Sequence, residues 1–466
     1  MPETPRRLRR GAAAQLMRRP QLWGTATVVA AVVVFLLSLA YLGGIVNPTG
    51  RLHHLPVAVV DQDRPHTSSG PGTGAQITDA LIAGSNKDQR LRLEPMSMAE
   101  ATDRLDSGRV YVALVIPQDF TARLHTLLEE RGTAPRRPEV TLLTNPRAGS
   151  LGVSFTSSGL QPALAAVSHR IGDGLLAQPA ARSAVPAARL LLADPVKVTV
   201  TAHHPLPANS GLGLSAFYYT LLVLLAGYLG ASVISGIFDT AVGHAFGEAG
   251  SSLTYRSPVP VSRTGHFLAK CATSVALAPV AATALAAAGA LLGVDTPHAG
   301  LLWVFTTVAI AAVGIGQQAL IAAFGSLASL LGTFIFMALA LPSSGGTVPL
   351  QALPPFFRFL SVFEPARHLI GGVRSIMYFD ARADAGLAGA WAVTGMALVG
   401  ALLFGLFVTR RLERDGRPRL SGQTFAALRG AAAQLLIGPA APQQGPGRAP
   451  SASGSGPSGP QQRSIT

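Results

Sequence analysis

Apolar residues in this chain fall into long uninterrupted blocks, and a block of 18 or more uncharged residues reads as a membrane-spanning helix. The first block runs from Leu22 to Val46 without a charge. A cleaved leader would carry only about 7–15 apolar residues, so we read this one as an anchor. The second and third spans are Gly211–Phe238 and Phe267–Val294. A fourth block, Leu301–Gly346, is too long for one helix. Breaking it near Phe324-Gly325-Ser326 gives spans Leu301–Ala323 and Leu327–Leu341, and Leu387–Val408 is the sixth. The expected fold is an α-helical polytopic membrane protein of six transmembrane helices, with an extracytoplasmic α/β domain inserted between helices one and two.

Inside that insertion, residues 47–210, the pattern alternates. Leu55–Val60, Val110–Ile116, Val140–Leu143 and Val196–Thr201 are short β-rich runs. Ala75–Ala83, Met96–Leu105 and the stretch after Pro117 to about Glu130 have helical spacing, with Phe120, Leu124 and Leu127 on one face. Strands alternating with helices imply an α/β domain. Ser150–Leu192 reads as an Ala-rich helix and as a stalk rather than part of the core.

Arginine placement sets the orientation, because cytoplasmic flanks hold the excess of Lys and Arg. Arg6, Arg7, Arg9, Arg10, Arg18 and Arg19 precede the first span, in an Arg-rich segment 1–21, and eight Arg follow the last. Both termini are therefore expected in the cytoplasm of a multi-pass plasma-membrane protein. The loop 239–264 lies on the same side, and loop 342–386 lies outside. Trp23 then sits at the inner interface, and Trp303 and Trp391 at the outer one. The tail 409–466 is cytoplasmic and, from about residue 439, too poor in apolar residues to fold.

Composition agrees with the membrane reading. Of 466 residues, 48% are hydrophobic and only 13% charged, with a mean hydropathy of +0.37. The net charge of +14 comes mostly from the cytoplasmic flanks, since residues 47–210 hold 16 basic and 14 acidic residues. Nucleic acid is not an expected partner; membrane lipids are. A single cysteine, Cys271, excludes a disulfide framework.

Catalytic signals are few. None of the three lysines (Lys87, Lys197, Lys270) follows a glycine, so the phosphate-cradling Gly-Lys-Ser/Thr loop is missing. Gly314-Ile-Gly316 lies inside a span and signals close helix packing instead of a dinucleotide site. No nucleophile elbow or His-Glu-x-x-His occurs. We expect no enzyme and no cofactor. His53-His54 and His203-His204 bracket the insertion; adjacent side chains on extended chain point to opposite faces, so each pair offers one ligand. A metal site needs three or four, and polar residues at headgroup level is the plainer reading. Gln317 and Gln318 are the candidate intramembrane polar residues, with interhelical glue and pathway lining both open. Lys270 reads as snorkelling to the cytoplasmic surface. In loop 342–386, the stretch Pro365–Phe379 sets Leu369, Val373 and Ile376 opposite Arg367 and Arg374. That suits an amphipathic helix in the outer interface, or a loop helix packed on the outer domain.

One span, a large insertion and five clustered spans resemble the membrane subunits of ABC-2-type exporters, most closely the branch with the YhgE/Pip proteins. The residues carrying the resemblance are Leu55-Pro-Val-Ala-Val-Val-Asp61, Ala99-Glu-Ala101, Leu105-Asp-Ser-Gly108, Val110 to Phe120 with its Ile-Pro-Gln-Asp-Phe ending, and Phe363 to Arg374. The resemblance implies a permease subunit moving a hydrophobic or amphipathic substrate outward, powered by a separate ATP-binding subunit and working as a homodimer or paired permease. It also implies an interfacial helix over residues 6–21 and a coupling helix in loop 239–264. A helix around Thr240–Leu253 would present Phe246 and Leu253 to the ATPase, with Arg256 and Arg263 beside it; a flexible loop held by those arginines at anionic headgroups is the competing reading. The alternative function is a non-transporting membrane protein whose outer domain is a receptor, anchor or secretion scaffold, suggested by spans without charge.

Overall fold

The computed structural model describes residues 20–64, 72–129, 136–179, 181, 185–245, 247–249, 252–254 and 259–416. The expected interfacial helix at 6–21 lies almost wholly outside them, as does the tail beyond 416.

Five helical stretches are long and apolar enough to cross a membrane. They lie in α1 (Pro20–Ile45), α7 (Ser215–Ala241), α8 (Arg263–Leu291), the stretch opened by α9 (Ala299–Phe324), and α14 (Leu387–Arg414). The expected fifth span, Leu327–Leu341, is not one regular helix. After Gly325, which takes φ +59°, the chain forms α10 (Ala328–Thr333), a π-turn Phe334–Ala338 and α11 (Ala340–Ser343). These pieces run back along α9: Gln317 donates to the Ala328 carbonyl, and Phe336 meets Gly316. Pro342 then reaches Gly44 near the end of α1, and the Tyr41 hydroxyl donates to the Met337 carbonyl. A glycine at positive φ stops α9, and the pieces beyond it are each too short to count as a span alone.

Helix α9 packs against α7, α8 and α14. Its run Ala309–Ile315 is buried all round, as expected of a central helix. Contact is closest at Gly227 on α7, where an added Cβ would lie 2.7 Å from the Val313 side chain and 2.9 Å from the Ile310 carbonyl. Gly314 meets Ser274 and Gly227 in the same seam, so its glycine does serve helix packing.

Between α1 and α7 lies a five-stranded mixed sheet of order β2-β1-β3-β4-β5, made of β1 (Leu55–Asp61), β2 (Leu91–Pro95), β3 (Val112–Ile116), β4 (Glu139–Thr144) and β5 (Lys197–Ala202). Strand β1 pairs in parallel with β2 and β3, β3 pairs antiparallel with β4, and β4 is parallel to β5. The central strands are apolar on both faces because both faces are covered. On one side Val57, Val59, Val112 and Leu114 meet α2 (Thr73–Asp88), α4 (Phe120–Glu129) and α5 (Ser150–Leu176). On the other, Ala58, Val60 and Ala113 meet Ala101 and Leu105 of α3 (Met98–Asp106).

Two expectations change here. Leu160, Leu164 and Val167 of α5 belong to the sheet's core, so the 150–192 segment is not a stalk; it continues as α6 (Pro186–Ala193), packed on α5. Strand β2 was not expected. Its Leu-Arg-Leu-Glu-Pro sequence alternates charges outward and ends in proline, as edge strands do.

The region before α14 forms α12 (Pro355–Phe363) and α13 (Pro365–Tyr378). Helix α13 packs into the bundle: Leu369, Val373, Ile376 and also Met377 and Tyr378 are buried in its core. Arg374 is held inside as well, donating to the carbonyls of Ala148 at 2.9 Å and Gly346 at 3.3 Å. The wheel separates Leu from Arg, but both sides of α13 find partners. The exposed aromatic face lies on α12 instead, with Phe356, Phe359 and Phe363 turned outward.

Candidate coupling site at the α7–α8 connection

The C-terminal end of α7 and the N-terminal start of α8 carry matched polar pairs one turn apart: Ser235 and Asp239 on α7, His266 and Lys270 on α8. Residues four apart share a helix face, and here the two faces meet. The Lys270 ammonium donates to both Asp239 carboxylate oxygens at 2.9 Å and to the Ser235 hydroxyl at 2.8 Å. The His266 Nε2 lies 2.9 Å from Asp239 Oδ1, and Ser235 Oγ donates to Asp239 Oδ2 at 3.1 Å. Lys270 is only 2% exposed, so it does not snorkel outward. Burying an ammonium is costly unless it is paired and hydrogen-bonded, and Asp239 supplies the pairing. Asp239 is inside the site because α7 runs to Ala241, one turn beyond the expected end of the span. The spans are therefore not free of charge.

Directly beyond, Gly243 takes φ +71° and donates to the Thr240 carbonyl, which ends α7. The next segment pairs β6 (Gly247–Ala249) with β7 (Ser252–Thr254) in an antiparallel hairpin. Within the expected helix Thr240–Leu253, the described residues 247–249 and 252–254 are extended, in keeping with the low helix propensity of Gly243 and Gly247. Leu253 lies in β7; Phe246 and Arg256 fall outside the described residues. Val259 donates its amide to the Val242 carbonyl, closing the base of the connection. Ser262 then caps α8 by accepting from the Gly265 amide, and Arg263 is the first residue of α8. Thr264 ties this end to α14, its amide and hydroxyl reaching Glu413 at 2.8 and 2.9 Å.

The other sequence candidates lie elsewhere. Gln317 and Gln318 are buried; Gln318 donates across to the Ala231 carbonyl of α7 at 2.9 Å. Arg367 is half-buried and approaches the Ser361 hydroxyl at 3.5 Å. The two histidine pairs do not converge, since β1 and β5 are separated by two strands, about 14 Å at the usual spacing. His203 and His204 instead both face Asp106. A second histidine–carboxylate group, Asp239 with His244 and His266, belongs to the α7–α8 polar network, where Lys270 already provides the cation.

Residues 26–397 match the family model of DUF3533, proteins of unknown function, and the chain belongs to that family. No curated protein matches it significantly. Among solved structures, the chain is similar to a crystallised domain provisionally attributed to an ABC type-2 transporter of Thermotoga maritima, at 15% identity and a TM-score of 0.24, covering 35% of this chain and 98% of that one.

Proposed function

We propose that this DUF3533 protein is the membrane subunit of an ABC-2-like exporter that moves a hydrophobic or amphipathic molecule outward, driven by a separate ATPase. The observation that carries this reading is the buried Lys270–Asp239–His266 network at the root of the α7–α8 connection. A paired charge inside an apolar helix contact fixes one geometry rather than adding much stability. Here it fixes the two helix ends from which residues 242–262 project, so a partner pushing on that connection would move α7 and α8 together. The missing Gly-Lys-Ser/Thr loop assigns ATP hydrolysis to that partner. The arginine-rich flanks support a plasma-membrane orientation with both termini and the connection cytoplasmic and the sheet unit outside. On this reading the chain crosses the membrane six times, the α10–α11 pieces making the fifth crossing, and works as a homodimer or paired permease. Kinship with the YhgE/Pip branch is part of the same proposal.

The test is co-purification from native membranes. A nucleotide-binding protein should accompany the chain, and Phe246→Ser with Leu253→Ser should release it while membrane insertion persists. Its consistent absence from the wild-type preparation overturns the exporter reading.

A second reading, a receptor or scaffold without transport, is favoured by a cleft of about 230 Å³ in the sheet unit between α2 and α5, with Asp88 and Arg170 among its lining residues. Purified protein that stimulates its partner's ATP hydrolysis in liposomes counts against it.

A further inference from the structure

We infer that Asp106, His203 and His204 form a three-ligand site for a divalent transition-metal ion of the zinc and copper class. The inference does not depend on transport.

The geometry is unusual for the local chain. Adjacent side chains on an extended strand point to opposite faces, yet His203 Nε2 and His204 Nε2 lie 2.8 and 3.1 Å from the same Asp106 oxygen. They converge because the chain leaves β5 after Ala202 and bends, although the His203 amide still donates to the Thr144 carbonyl. The imidazole rings end 4.2 Å apart, and the three ligand atoms lie within 4.8 Å of one another.

Charge points the same way. Asp106 is the last residue of α3, where a helix presents its partial negative end and a carboxylate is unfavourable without a cation. The arginines near it are committed to other acids: Arg104 to Glu94 and Glu100, Arg109 to Asp384, Arg382 to Asp103 and Asp384. Among the described residues, Asp106 pairs only with the two imidazoles. A divalent ion held by this carboxylate and the two imidazole nitrogens would supply the cation that the end of α3 favours.

The donor set selects the ion. Two imidazoles and a carboxylate suit zinc or copper, whereas calcium and magnesium take oxygen ligands. The His204 side chain is 50% exposed, which leaves a coordination position open to water. Such an ion would clamp the end of α3 to the connector from β5 into α7. That end of α3 is also held to the loop before α14 by Arg382–Asp103 and Arg109–Asp384.

The experiment uses the full chain in detergent, stripped of metal and of any histidine tag. Zinc is titrated against a chromophoric chelator, and cobalt is followed by its visible absorption. One equivalent per chain is expected. Asp106→Asn and His204→Ala should each weaken binding tenfold or more, while His244→Ala, in the other histidine group, leaves it unchanged. Zinc should raise the thermal midpoint of the wild type and not of His204→Ala. If His204→Ala shifts the metal-free midpoint, His204→Gln takes its place. Absence of stoichiometric zinc binding, or binding unmoved by Asp106→Asn and the His204 variant, overturns the site.

Discussion

Lys270 and Asp239 sit on consecutive membrane helices with the ammonium 2.9 Å from each carboxylate oxygen. Lys270 is buried, and Asp239, half-buried, shares its carboxylate with Lys270, His266 and Ser235. Removing one partner of a buried pair strands the other's charge, whereas removing both does not. Lys270→Met and Asp239→Asn should each destabilise the protein by about 3–5 kcal/mol. The double variant should lose less than the sum, because the lone charge is gone. Thermal unfolding in detergent of the four members of this cycle measures the coupling; additive losses would show that the pair is not a unit.

Helix packing gives a sharper contrast. Gly227→Ala places a methyl 2.7 Å from the Val313 side chain, while nothing lies within 4 Å of a Cβ at Gly236 on the same helix. Overpacking of a tight contact costs about 1–3 kcal/mol. Gly227→Ala should lower the thermal midpoint and the monodisperse yield, and Gly236→Ala should change neither.

Glu364, between α12 and α13, is buried, and burial pushes its carboxyl up to about 7. Between pH 4.5 and 7 the folded protein holds a proton that the unfolded chain has released, so stability falls as pH rises through that window. Glu364→Gln keeps the shape without the charge. At pH 8 it should be more stable than the wild type by up to about 3 kcal/mol, and the difference should vanish at pH 4. Parallel melting curves at both ends of the window decide the point.

The fifth crossing can be tested by single-cysteine labelling in a Cys271→Ala background, since the native thiol is buried. Asp380→Cys should react with an impermeant reagent from outside. Ser326→Cys and Asp415→Cys should react only after the membrane is opened. Labelling of Ser326→Cys from outside would mean that α9 and the α10–α11 pieces do not form two crossings.

Most of the sheet unit was readable because buried parallel strands give unbroken apolar runs and their helices keep a clean 3.6-residue repeat. Strand β2 escaped because an edge strand with Arg92 and Glu94 outward resembles a solvated loop. Segment 150–192 reads as a stalk because its Ala-rich composition hides which residues, Leu160 and Leu164 among them, reach the core. At the α7–α8 contact the sequence carries a signal: Ser235 with Asp239, and His266 with Lys270, are pairs four apart on facing helix ends. Reading Asp239 as a loop residue detached Lys270 from its partner. Convergence of Asp106 with His203, 97 residues apart, has no local trace in sequence, because three strands, β3 to β5, lie between them in the chain.

Arg147 and Arg374 bind carbonyls on opposite sides of one seam: Arg147 reaches the Tyr378 carbonyl at 2.9 Å, and Arg374 reaches that of Ala148. The guanidinium of each unit thus grips the backbone of the other, and backbone cannot swing aside as a side chain can. Helix α13 in turn packs against both α7 and α14. Two backbone-anchored arginines thus tie the sheet unit, through α13, to the helix that carries Asp239.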